Sequence, residues 1–175
     1  GTPPGARSQP RYTPADIQPV AQQMLQNLFG VFAMTDSSEN EYAMKATMRL
    51  ISFMGDGIKP IAGVCLERLS GMVMETCKNP RNPTFSHYLF ESVAALVKAG
   101  AGDPGLIATF EQLLFPPFQH VLQQDVVEFA PYVFQLLSQM IESHPSALPA
   151  SYMGIFPALL VPMLWDRSAN VTPLV

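Results

Sequence analysis

Three histidines, two cysteines and fourteen carboxylates are the residues of this 175-residue chain with the means to do acid–base, metal or nucleophilic chemistry. His87, His120 and His144 fall in three separate helical segments, with neither the H-E-x-x-H nor the H-x-x-x-H spacing that sets two rings on one helix face around a metal. A histidine acting as general base needs a nucleophile or carboxylate within hydrogen-bond reach, and the sequence points to none. The three rings therefore read as surface or helix-end residues. His144, followed by Pro145, reads as a helix C-terminus, where a partly positive ring is favoured by the dipole. Cys65 and Cys77 lie on one predicted helix. At ~1.5 Å rise per residue they stand roughly 18 Å apart, beyond disulfide reach, and a metal site would lack its other ligands. Two unpaired, buried thiols fit a reducing compartment.

The carboxylates are scattered. The closest pair, Glu39 and Glu41, reads as a helix cap, with Ser38 and Glu41 spaced as a capping box. No G-x-S-x-G elbow, P-loop or G-x-G-x-x-G occurs, and "GAGDPG" (100–105) follows a helix where a phosphate loop would follow a strand. The residues give no catalytic, cofactor-binding or metal site. Lys45 and Arg49 stand at i, i+4 with Glu41 one turn earlier, which is ordinary helix-surface pairing. Together with Glu91 they are the polar positions that could instead face a partner.

Composition narrows the partners. Charged residues are 14% of the chain against 48% hydrophobic, with a net charge of −4. That is well below the usual quarter of charged residues, so part of this surface faces something other than water. A mildly acidic chain without a Lys/Arg run argues against nucleic acid. The start carries no signal-peptide pattern. The longest apolar stretch, 155–165, is about half a bilayer span and contains Pro157 and Pro162.

The elements that carry these residues read as helices throughout. Residues 1–14, rich in Pro and Gly, read as a leader or loop, and Thr13 to Asp16 as an N-cap and first turn. Apolar spacing then predicts helices over 15–34, 40–55, 58–78, 83–99, 104–124, 126–144 and 150–165. In the third, Ile61, Val64, Cys65, Leu69, Met72 and Val73 form the expected stripe. Pro116 and Pro117 predict a kink or break in the fifth, and Pro131 a late or bent start to the sixth. No alternating strand pattern competes.

A repeat orders these helices. Phe85, Tyr88 and Phe90 recur as Phe129, Tyr132 and Phe134, both in the pattern F-x-x-Y-(L/V)-F at an offset of 44 residues, and Tyr42 precedes Tyr88 by 46. Two helices in ~45 residues is the HEAT-type period. The fold class is therefore all-α: an α-solenoid of about three and a half hairpins. The hairpins cover 15–55, 58–99 and 104–144, followed by the first helix of a next repeat at 150–165. Inner helices are 40–55, 83–99 and 126–144. In this arrangement the repeated aromatics are packing and not a binding box, and the ten methionines fill gaps between stacked helices.

With the segments laid out, "SSENEYAMKATMR" (37–49), "KNPRNPTFSHYLFE" (78–91), "LQQDVVEFAPYVFQ" (122–135) and "PASYMGIFPALLVPMLWDR" (149–167) carry a resemblance over Thr13 to Val175. The chain resembles the export receptors of the karyopherin (importin-β) superfamily. That resemblance implies a HEAT-repeat superhelix without catalytic activity. It implies binding of importin-α together with RanGTP in the nucleus, release of both in the cytoplasm after GTP hydrolysis, and shuttling between the two compartments. It also implies a central segment, without the repeats that carry the main Ran and cargo contacts, whose exposed apolar ends favour self-association. It maps no contact residue onto this chain. The rival reading is a general HEAT or armadillo scaffold with other partners.

Overall fold

Thr13 and Asp16 set the start of the first helix. In the computed structural model, which describes residues 11–144 and 147–174, the Thr13 backbone N–H and hydroxyl both donate to Asp16 Oδ2 at 2.7 Å. Helix α1 then runs over Pro14–Phe32, with proline where a missing N–H costs nothing. The first ten residues of the expected leader lie outside the described part.

Helix α2 spans Glu41–Met54, and its N-cap is Asn40, whose side chain accepts from the Ala43 N–H at 2.9 Å. The capping box expected at Ser38 and Glu41 is not used. Successive turns, with Asp36 in the left-handed region (φ 62°) and the Asn40 N–H bonded to the Ser37 carbonyl, delay the first unpaired helical amides past Ser38. The third helix also begins later than expected. Gly55–Ile61 is a 3₁₀ turn containing Pro60, and α3 is Ala62–Lys78. Its buried stripe is Cys65, Leu66, Leu69, Val73 and Cys77, whereas Val64, expected in that stripe, is 66% exposed. Periodicity alone does not choose between Val64 and Leu66 as the edge of the stripe; the packing partners do.

Helix α4 (Pro83–Gly100) is capped by Asn82, and α5 (Pro104–Gln123) by Asp103, which accepts from Gly105 and Leu106. Pro116 and Pro117 do not break α5. The carbonyls they leave without a helical partner belong to Gln112 and Leu113, which are exposed and half-buried, so water can serve them. Helix α6 is Ala130–Glu142, starting four residues after the expected 126. Pro131 falls in the first turn of the helix, where its missing N–H costs nothing, and the chain turns through Asp125 (φ 51°) first. The helix expected over 150–165 is replaced by a 3₁₀ turn (Ala150–Gly154) and two single turns, α7 (Phe156–Leu159) and α8 (Pro162–Trp165). Pro157 and Pro162 each remove an amide from what would be one ladder. Helix α9 (Ser168–Leu174) follows.

Packing confirms the fold class. Helices α1 and α2, α3 and α4, and α5 and α6 pair as hairpins. In addition α2, α4 and α6 stack as an inner row and α3 lies on α5 in an outer row. Helix α9 takes the place after α6 in the inner row. This is a HEAT-type solenoid. Aromatic rings bridge successive repeats: Phe32 meets Phe85 edge-on at 6.0 Å, and Phe90 lies 5.2 Å from Phe129 and stacks on Tyr132 at 4.7 Å. The buried hydroxyls of Thr47 and Ser92 need no partner from another repeat, because each donates to the carbonyl four residues back.

Cys65 and Cys77 are free and buried. Burial pushes the Cys65 thiol up to about 11 and the Cys77 thiol to about 12, from an ordinary 9.0. The thiolate is the nucleophile, so both side chains should resist iodoacetamide at pH 8 in the folded protein and react in guanidinium; mass spectrometry counts the adducts. The unfolded chain loses these protons first. The stabilisation is therefore complete below pH 9.0 and is lost as the pH climbs through 11 and 12.

Candidate interaction surface on the inner helices

The three polar residues named from the sequence stand on inner-row helices, none of them fully buried. On α2, Lys45 is half-buried and Arg49 is exposed one turn later; on α4, Glu91 is half-buried. Lys45 is not free. Its Nζ sits 5.1 Å from the centre of the Tyr88 ring, a cation–π contact that ties α2 to α4. Glu91 stands near Tyr132 of α6, whose phenol is pushed up first by burial and then by that carboxylate.

His87, which the sequence placed on the surface without a role, reaches the next repeat. Its Nδ1 lies 3.2 Å from the Tyr132 hydroxyl, and its ring is 5.3 Å from that of Tyr88. Lys45, Tyr88, His87 and Tyr132 thus form a continuous chain of contacts across three inner helices. Tyr88 and Tyr132 pack between repeats, Tyr88 beneath Lys45 and Tyr132 stacked on Phe90. Tyr42, matched to them by spacing in the sequence, stands one turn earlier on α2 and is 77% exposed. Beside this chain a polar groove runs between the end of α2, α4 and α6, lined by Ser52, Asp56, Glu91, Lys98, Gln135 and Gln139.

Two features escaped the sequence reading. Arg81 donates to Glu39 at 2.9 Å, and Arg167 makes a bidentate pair with Asp125 at 2.6 and 2.8 Å. Both pairs are 42 residues apart in the chain, and both join the loops that lead into consecutive inner helices. The hydrogen bonds from Arg167 hold the Asp125 carboxyl below its ordinary value. The equal spacing was the available signal, readable only once the repeat register is known. The second feature is a carboxylate for His144: Glu111 of α5, at 2.5 Å, which also accepts from the Tyr152 hydroxyl at 3.0 Å. Thirty-three residues separate this pair, and no spacing rule connects them.

A family model described as "CAS/CSE protein, C-terminus" matches residues 4–175. The chain belongs to the CAS/CSE family. Among curated relatives, the protein named exportin-2 of Oreochromis niloticus is 44% identical over 164 residues, 93% of this chain and 17% of the relative. Exportin-2 of Drosophila melanogaster is 43% identical over 167 residues, and that of Homo sapiens 41% over 165, each covering 94% of this chain and 17% of the relative. The chain thus spans about one sixth of the length of the relatives it matches. Among the described residues of this CAS/CSE segment, no three His, Cys, Asp or Glu side chains gather as a metal site, and no helix is long and apolar enough to cross a membrane. The inner helices of this CAS/CSE segment carry side chains of both charges, and the Tyr88 ring holds Lys45 in place.

Proposed function

We propose that the chain is a stretch of a nuclear export receptor that returns importin-α from nucleus to cytoplasm in complex with RanGTP, and that it binds without catalysing. The observation that supports this most is 40–44% identity, over 93–98% of the chain, to proteins named exportin-2. In this reading Lys45, Arg49 and Glu91 meet the protein partner on the inner face, since cations and a carboxylate spaced along one row suit recognition by charge complementarity. The repeats over 58–144 pass changes of curvature between distant binding surfaces. The apolar ends, with Met153, Leu160 and Met163 exposed, self-associate where neighbouring repeats are missing.

The test uses the full-length receptor that contains this segment, with importin-α on beads and Ran loaded with GTP or GDP. Capture should require RanGTP, and excising 58–144 should uncouple the two ligands. Joint reversal of Lys45→Glu and Arg49→Glu should weaken capture about tenfold, the equivalent of ~1.4 kcal/mol. Capture that ignores Ran would sink the export reading in favour of a general scaffold. Unchanged capture by the double variant would remove only the contact assignment.

A further inference from the structure

We infer that the segment bends at two neighbouring joints, and that these joints open on opposite sides of the stack. The first lies between the hairpin of α1 and α2 and that of α3 and α4. The second lies between the latter and the hairpin of α5 and α6. At each joint one row of helices is packed and the other is held apart. The packed row is the pivot, and the gap is the room for movement.

At the first joint the inner row is packed. Helix α2 lies along α4, with the Met44 sulfur 3.7 Å from the Ser92 hydroxyl and Lys45 over the Tyr88 ring. The outer row is open. Helix α1 rests on α2 and on the 3₁₀ turn rather than on α3. A cleft of about 700 Å³ separates Phe29, Phe32 and Ala33 of α1 from Arg68, Gly71 and Met72 of α3.

At the second joint the arrangement is reversed. Helix α3 lies on α5, and a Cβ added at Gly63 would stand 3.8 Å from the Thr109 methyl, an ordinary contact. One added at Gly71, on the cleft side of α3, would meet nothing within 4 Å. In the inner row, Phe90 of α4 meets Phe129 and Tyr132 at the start of α6. Beyond these rings two grooves follow the seam, and Lys98 of α4 and Gln139 of α6 line both.

Both gaps are built to close. Phe29, Phe32 and Met72 are each half-buried, so bringing α1 onto α3 removes more apolar surface from water, and Gly71 leaves room for the approach. At the inner seam, Gln139 Oε1 is buried without a hydrogen-bond partner among the described residues, which costs stability. The exposed ammonium of Lys98 stands on the opposite wall. Closing the seam lets Lys98 donate to that oxygen in a charge-assisted bond. Closing the outer cleft bends the stack towards its outer row, and closing the inner seam bends it towards its inner row. Used together, the joints displace the third hairpin relative to the first with little net bend. This holds for an export receptor and for a general scaffold alike.

Double electron–electron resonance on the intact protein containing this segment reads both joints. Spin labels are carried on p-acetylphenylalanine, so native cysteines stay untouched. Labels at Ala33 and Glu75 span the outer cleft, and labels at Ala101 and Glu142 span the inner seam. Labels at Glu67 and Gln112, both exposed, report the packed row of α3 and α5. The first two pairs should give distance distributions about twice as broad as the third, as expected of hinges beside a fixed contact. Gly71→Trp, which fills the outer cleft, should narrow the first pair alone. Lys98→Met should shift the second pair to longer distances and leave the first unchanged. The third pair, narrow throughout, checks that the variants fold. Equal breadth for all three pairs, or an inner pair unmoved by Lys98→Met, would overturn the inference.

Discussion

Phe90→Ala is expected to cost about 3–5 kcal/mol, the range for removing a fully buried phenylalanine. The upper part of that range is expected, because of where the ring sits. Phe90 is 2% exposed and belongs to α4, but its ring is held by Phe129 at 5.2 Å and by Tyr132, stacked at 4.7 Å and 5°, on the next hairpin. A cavity there lies between two hairpins whose backbones are fixed by their own cores, so it collapses poorly. In a solenoid, stability is a sum of repeat terms and junction terms, and this substitution removes part of both. Urea unfolding should show a lower midpoint, and the α4–α6 junction should separate first, splitting one transition into two. Tyr132→Phe is the matched control. It keeps the stacked rings and loses only the contact with His87, at a cost of about 1 kcal/mol. A loss below about 1 kcal/mol for Phe90→Ala would mean that something other than these rings holds the junction.

Gly100→Ala is the second substitution with a large expected effect, and its sign runs against helix propensity. Alanine in place of glycine in a helix ordinarily gains about 1 kcal/mol. At Gly100, the last residue of α4, a methyl group would stand 2.7 Å from Phe110 Cζ and 3.3 Å from Leu106 Cβ. Phe110 is itself buried, so its ring has nowhere to swing. Overpacking of this kind costs about 1–3 kcal/mol, which set against the propensity gain leaves a net loss of up to about 2 kcal/mol. Gly71 is the internal comparison: it lies mid-helix in α3, is exposed, and has nothing within 4 Å of an added Cβ. Gly71→Ala should raise the melting temperature and Gly100→Ala should lower it. Equal shifts in the same direction would show that Phe110 yields at little cost.

The repeat was legible because packing repeats chemistry. Tyr88 and Tyr132 recur 44 residues apart on successive inner helices, and that spacing gives the hairpin period; Tyr42 stands one turn earlier on its helix, two residues past the Asn40 cap where Tyr88 is six past Asn82. Element starts were less legible where turns compete for amides. Asn40 caps α2 although Ser38 carries the better-known signature, because the preceding loop spends its amides on tight turns. The break over 150–165 follows from Pro157 and Pro162, which were visible but were outweighed by an apolar run of helical spacing. On the inner row, the helices that carry Lys45, Arg49 and Glu91 were legible in the sequence. The bond from His87 to Tyr132 and the meeting of Glu111 with His144 were not, because each joins residues on different helices whose rotation about their axes is fixed only by the assembled core.

The two arginine–carboxylate pairs along one edge have a mechanical consequence. Glu39–Arg81 joins the entries of α2 and α4, and Asp125–Arg167 those of α6 and α9. Between them, the α4–α6 joint is closed by stacked rings. Mobile ions screen exposed charges and leave ring stacking nearly untouched. The stack therefore alternates joints that loosen in salt with one that ignores it. Its stiffness along this edge is set partly by the solution around it, at two joints of the three.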